Sequence, residues 1–455
     1  MPALYRSGRN TLRQRIKTIL ALGLPITAGM LSQSLMNLVD TALVGHLGEI
    51  TLAAAGAGSY AMLLMVSVLS GLSAAVQSRV ARLQGSHQHH LSGMPVNAGL
   101  ALSLWVGLPL VAIGFSLSPW IFHWIATSTD IAQEARQYFD IRLLTLPAAA
   151  FNLSFRGFWN GTNNPGQFVR ILVVVHLLNA LISYLLIYGK LGMPEMGIKG
   201  AAMGTFIAMY AGASLNAFYL LNQRNPSGFL KQKVRWQHQK QLLQLATPDS
   251  LQQLLFAFSL TLLFSILAQT GATSMALGHI LINISLVLIL PAIGLGMAST
   301  TLVSHAIGEK DEPKAYLWGR DTALTAFFVL ALLNLPIGLF PEQVLSLFTS
   351  DPDMIAAGIR PLQLTGLGVT AEAAGLVLTQ ALLGAGDSKT VMLIRTGSQW
   401  LVLLPLYWWA VNIMGYGLVA ICIVHALQRA LSSLVFWIIW KKQNWLKGDW
   451  AVPKS

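Results

Sequence analysis

The sequence contains one cysteine, Cys422, so no intramolecular disulfide can form and no cysteine-based metal cluster is available. Charge is scarce as well. Asp, Glu, Lys and Arg together make up 10% of the 455 residues, well under the ~25% of an ordinary soluble domain. Long polar stretches are missing: no loop exceeds ~20 residues, which leaves no room for a soluble domain. Walker A, HExxH and nucleophile-elbow motifs are all absent, and no Cys/His cluster occurs. Those absences argue against ATP hydrolysis and against enzyme chemistry in general. No catalytic residues, metal site or cofactor are expected.

What is present is apolar sequence from end to end, with 54% of residues hydrophobic. A membrane span needs ~20 such residues. Runs of that length lie at about 18–44, 51–78, 95–118, 132–156, 167–188, 197–221, 240–268, 273–305, 317–340, 354–383, 391–411 and 416–440. The expected fold is therefore an all-α integral membrane protein of twelve transmembrane helices. The basic stretch before the first run reads as the flank of a membrane helix rather than a cleavable signal, because the run is too long.

The net charge of +12 is a topology signal. Arg6, Arg9, Arg13, Arg15 and Lys17, then Arg79, Arg82, Arg156 and Arg170, fall on one face. So do Arg224, Lys231, Lys233, Arg235 and Lys240, Lys310, Lys314, Arg320, Lys389 and Arg395, and Lys441, Lys442, Lys447 and Lys454. The other face carries Glu49, Asp130, Glu134, Glu195, Glu342, Asp351 and Asp353 with few cations. This positive-inside pattern places both termini in the cytoplasm. It argues against nucleic-acid binding and leaves membrane lipid as the partner of the basic surface.

The chain repeats. At a constant shift of 223 residues, Pro25 falls on Pro248, Gly48 on Gly271, Gly85 on Gly308 and Gly161 on Gly384. The expected organisation is a six-helix bundle over 1–221, a cytoplasmic linker over 222–240, and a second bundle with a cytoplasmic tail over 241–455. Six spans is an even number, so both bundles enter from the same side. A pseudo-two-fold axis then runs along the membrane normal, with substrate carried in a central path between them.

The ionisable residues break this symmetry. Asp40 falls on Leu263, Asn179 on Val402, Glu372 on Ala149 and Asp249 on Ile26. A carboxylate inside the run ILALGLPITAGMLSQSLMNLVDTALV is costly, by ~2.5–3.5 kcal/mol on insertion scales, and such residues face cavities or ion pathways. Gln33, Asn37 and Asp40 are spaced four and three apart and share a helix face. His176, Asn179 and Ser183 do the same in the fifth run. A structural polar patch is the competing reading of both groups. Arg429, in the twelfth run, needs a partner, with Glu372 and Asp249 as candidates.

LVDTALVGHLG closing the first helix, a proline early in each half, YFDIRLLTLPAAAFNLSFRGFWNGTNNPG (Tyr138–Gly166) and LLNALISYLLIYG (Leu177–Gly189) resemble the multidrug and toxic compound extrusion (MATE) family. The fourth-helix pattern resembles its DinF-like branch, and the likeness covers the whole length. It implies that Asp40 is the first-helix carboxylate of cation or proton coupling and Asn179 its fifth-helix partner. The chain departs from the family at Ser183, where an Asp is common. It departs again at Phe256, where the sodium-coupled branch has Glu. Glu372 stands where that branch has an Asp.

The resulting expectation is a secondary active antiporter of the inner membrane. It exports small cationic or amphipathic organic compounds in exchange for protons, as a monomer. Asp40, Asn37, Asn179, Ser183 and Gln33 would form the coupling site and Pro25 a hinge. His176, Gln252, Gln253, Glu372 and Asp249 are candidates for a substrate cavity. Proton is favoured over sodium because a hard cation needs more oxygen ligands than surround Asp40. Sodium coupling through Glu372 is the main alternative. A flippase for lipid or lipid-linked sugar is another; a strongly basic cavity would favour it, and the sequence shows few intramembrane cations; a membrane-embedded enzyme ranks last.

Overall fold

Helices account for every expected span in the computed structural model, which describes residues 11–222, 227–232, 234–269 and 271–447. Arg6, Arg9, Arg224, Lys233 and Lys454 lie outside the described residues, as does part of the 222–240 linker. Among the described residues, ten helical stretches are long and apolar enough to cross a membrane. Two broken stretches, the fourth and the eleventh, bring the spans to twelve. The first span, Leu12–Gly45, has 34 residues. At ~1.5 Å per residue it is about 51 Å long, more than the ~30 Å hydrocarbon layer requires. The outer faces are apolar as a lipid-facing surface must be, with Trp105, Leu401 and Leu431 all exposed.

The fourth span departs from the single helix expected over 132–156. It consists of Thr129–Leu143 and Leu146–Gly161. Pro147 cannot donate the backbone bond that would join them. Thr145 covers part of the gap, its Oγ1 donating to the Arg142 carbonyl at 2.6 Å. The eleventh span is interrupted in a similar way. Ser388–Gly397 passes into a π-helical turn, Ser398–Leu403, and then into Leu404–Asn412, with Pro405 just inside the last piece. The wider turn absorbs the missing donor. The charges of the fourth span and the breaks in both explain why neither reads as one clean apolar helix.

Contacts divide the chain into two units. One comprises Ala28–Gln253; the other comprises Met1–Thr27 with Leu254–Ser455. The divisions fall inside the first and seventh spans rather than at the linker. The described part of the linker is packed: Gly93 donates to the Ser227 carbonyl at 2.7 Å, and Leu230 N–H to Asn97 Oδ1 at 3.0 Å. Within the other unit, Arg15 Nε donates to Asp321 Oδ2 at 2.5 Å, and Arg320 holds the second oxygen at 2.8 Å. Asp321 is an acid that the charge pattern alone does not single out.

The 223-residue repeat reappears in the backbone. Gly48 and Gly271 begin the second and eighth spans with φ of 118° and 102°, a region open to glycine. Those spans end at Gly85 and Gly308. Two residues later, His87 and Lys310 take φ of 59° and 61°. Gly161 and Gly384 are where two helices close on each other. A Cβ on Gly161 would lie 2.8 Å from the Gln77 carbonyl oxygen, and one on Gly384 2.7 Å from that of Thr300. Gln77 and Thr300 are themselves 223 residues apart. Without a hydrophobic drive between helices in lipid, such close backbone approach is a main source of association.

Candidate functional site

The unit formed by Ala28–Gln253 encloses a cavity of ≈ 650 Å³. Its wall draws on the first, second, fourth, fifth and sixth spans, and Asp40 is the one carboxylate on it. The helical spacing of Gln33, Asn37 and Asp40 turns all three toward this space.

Two hydrogen-bonded groups stand side by side between the first and fifth spans. In the first, Asn179 Nδ2 donates to Asp40 Oδ1 at 3.2 Å and to Oδ2 at 3.3 Å. Ser183 Oγ donates to Asn179 Oδ1 at 3.2 Å. Asn179 and Ser183 are buried, whereas Asp40 is partly open to the cavity. In the second group, Ser32 Oγ and His176 Nδ1 are 2.8 Å apart, and His176 Nε2 lies 3.3 Å from Gln33 Oε1. Gln33 Nε2 donates to Asn37 Oδ1 at 3.3 Å. Tyr188 fastens the same pair of helices further along, donating to the Leu43 carbonyl at 2.8 Å.

Of the residues singled out in the sequence, Gln33, Asn37, Asp40, His176 and Asn179 line the cavity, and Ser183 reaches Asp40 through Asn179. Asp249, Gln252, Gln253 and Glu372 are not on its wall. Asp249 is buried, with Arg156 as its electrostatic partner. Glu372 belongs to the other unit and is held by two arginines. Arg395 Nη1 donates to its Oε1 at 3.0 Å and Arg429 Nε to its Oε2 at 3.1 Å. Of the two acids considered for Arg429, this is the one it meets. Pro25 lies inside an unbroken helix, two residues before the point where the contacts change unit.

The sequence reading missed the other wall of the cavity. Tyr138 and Arg142 face the cavity from the break in the fourth span. Arg156, counted there among the cytoplasmic charges, also lines it. Asn152 and Asn216 complete the polar rim, with Asn216 Nδ2 donating to Asn152 Oδ1 at 3.3 Å and Trp159 Nε1 to Asn216 Oδ1 at 2.8 Å. The available signal was the flanking sequence. Arg156 sits in LSFRGFW, and a cation among apolar residues is expensive in a bilayer unless it serves a cavity.

The MatE family profile matches this chain twice, over residues 25–185 and 248–409. The two matches begin at Pro25 and Pro248, which the repeat pairs. A probable multidrug resistance protein NorM of Thermotoga maritima is 25% identical over 438 residues, covering 95% of this chain and 93% of that protein. A MATE solved in a bent conformation is similar in structure, with a TM-score of 0.87 at 21% identity over 96% of this chain and 98% of its own. A MATE solved in a straight conformation gives 0.86 at 21% identity, over 94% and 96%. At that identity the structural likeness speaks for the fold.

Proposed function

The chain belongs to the MatE family, and from that premise we propose a proton-coupled antiporter that exports small organic molecules, with Asp40 as the exchanging acid. Members of this family are membrane transporters, not enzymes, and need no cofactor. The observation that carries the proton reading is the ligand count at Asp40. One amide, that of Asn179, donates to both carboxylate oxygens. An amide N–H donor cannot ligate a cation, and the cavity wall offers no second carboxylate. A hard cation such as sodium needs several oxygens at once, whereas a proton needs one.

Protonation converts Asp40 from a pure acceptor to a donor. The Asn179 amide then no longer faces two acceptors, and the first span gains a reason to shift against the fifth. Pro25 offers a place for that shift, because a proline removes one backbone hydrogen bond from the helix. Such a change would alternate access to the cavity. The one-sided Lys/Arg pattern supports cytoplasmic termini and residence in the inner membrane. A monomer suffices, since every group invoked comes from one chain.

Sodium exchange through Glu372 is the rival reading. The two guanidiniums on Glu372 weigh against it, because both carboxylate oxygens are already engaged by fixed cations. The deciding experiment is dye export from proteoliposomes with an imposed pH gradient or an imposed sodium gradient. Export driven by the pH gradient without sodium is expected; strict dependence on sodium would defeat the reading.

A further inference from the structure

The unit that contains Glu372 carries a surplus of buried positive charge. The two oxygens of Glu372 meet Arg395 Nη1 at 3.0 Å and Arg429 Nε at 3.1 Å, so one acid stands against two permanent cations. Neither arginine has a second acid among the described residues. Arg395 is engaged further. Its Nε and Nη2 each lie 3.4 Å from Thr379 Oγ1, and its guanidinium is 5.8 Å from the centre of the Phe436 ring. Arg429 is not. It is buried, yet 10% of its side chain stays accessible, and among the described residues its two terminal nitrogens make no hydrogen bond.

Unused donors stand around it. Arg429 acts electrostatically on Tyr407, Cys422 and His425. Tyr407 is fully buried, its ring centre 6.0 Å from that of His425, and its hydroxyl has no hydrogen-bond partner among the described residues. Trp400 packs against the same apolar cluster as Tyr407 and Cys422, and its Nε1 is likewise buried and unpaired. The π-helical turn that carries Trp400 is fastened one residue away from Arg429, where Gln428 Nε2 donates to Ser398 Oγ at 2.5 Å.

Guanidinium and indole N–H groups can only donate, and a phenol can turn its proton toward an acceptor. A buried donor without an acceptor is costly, and an uncompensated charge inside a membrane protein is costlier. Water would satisfy the donors and leave the charge; an anion satisfies both. We propose that this unit holds a small monovalent anion of the halide class, seated against the terminal nitrogens of Arg429 and the Tyr407 hydroxyl. One negative charge balances the surplus that Glu372 leaves, whereas a dianion would overshoot it and meet the repulsion of that carboxylate. The ion would join the eleventh span to the twelfth.

The test is thermal unfolding of the full chain in detergent, titrated with sodium chloride at constant ionic strength with gluconate as the balancing anion. A saturable rise in melting temperature of about 2–4 °C is expected, and bromide should reproduce it. Tyr407→Phe, which removes one oxygen, should move the chloride midpoint upward at least tenfold. Arg429→Gln removes the surplus charge and should abolish the response; if that variant does not fold, Tyr407→Phe decides. No rise in wild type, a rise that never saturates, or an unchanged midpoint in Tyr407→Phe overturns the proposal. An equal rise with acetate would assign the site to carboxylates and overturn the halide choice.

Discussion

Asn179 turns its amide nitrogen on a single acid: its Nδ2 reaches the two oxygens of Asp40 at 3.2 and 3.3 Å, with one N–H shared between them. Its own oxygen is committed to Ser183, which donates at 3.2 Å. The amide is therefore oriented from behind by a buried serine and presents N–H groups toward the acid. The ionised Asp40 accepts from this amide at both oxygens, whereas the protonated form keeps one carbonyl acceptor and becomes a donor at the other oxygen. Gaining a proton must change the hydrogen bonding of both residues.

Asp40→Asn is expected to abolish pH-gradient-driven export while leaving the fold intact. The side chains have nearly the same shape, and the variant removes a costly intramembrane charge. Vesicle export and thermal unfolding in detergent, measured on the same preparation, separate the two effects. Export at the wild-type rate would rule out Asp40 as the exchanging acid.

Asn179→Leu removes the donor that faces the carboxylate. Hydrogen bonds to charged groups are worth ~1.5–3 kcal/mol, so gradient-driven export should fall at least tenfold. Ser183→Ala acts one step further away and should cost less, since it only frees the amide to turn. A larger defect in Ser183→Ala than in Asn179→Leu would show that the order of the chain is wrong.

Gly161→Ala and Gly384→Ala should each destabilise the protein by about 1–3 kcal/mol through overpacking, because the new methyl meets a backbone carbonyl in both units. Gly166→Ala and Gly397→Ala, whose Cβ positions meet nothing within 4 Å, should be close to neutral. Apparent melting temperatures of the four variants test this. Equal shifts in all four would remove the packing explanation of the repeat.

Glu372→Gln leaves two guanidiniums in the protein interior without their countercharge. Breaking a buried ion pair in this way typically costs about 3–5 kcal/mol. A marked fall in thermal stability is expected, with partial recovery in the double variant Glu372→Gln/Arg395→Gln. If the single variant is as stable as wild type but loses export, Glu372 takes part in coupling rather than in holding three spans together.

The spans were legible because lipid imposes a length and an apolar composition, and every run found in the sequence is helical. The repeat was legible because glycines at close contacts and positive φ cannot drift far. The Asp40–Asn179 contact was readable too, but from family resemblance rather than spacing, since 139 residues separate the two. Arg142 and Arg156 were not recognised. A charge near a span end reads as topology until the structure shows which way it faces. The changeover of contacts within the first span was also invisible, because Leu12–Gly45 is a single unbroken helix.

One carboxylate on the cavity wall also fixes the electrical character of the cycle. If Asp40 carries one proton inward per turnover and a zwitterion of zero net charge leaves, each cycle moves one positive charge into the cell. Membrane potential then drives export directly, adding ~2.3 kcal/mol per 100 mV. A singly charged cation leaving against the same proton would be electrically silent. Imposing a potential on vesicles with potassium and valinomycin would therefore change the export rate of one class of cargo and leave the other unchanged, so a cell that let its potential collapse would export the first more slowly and the second as before.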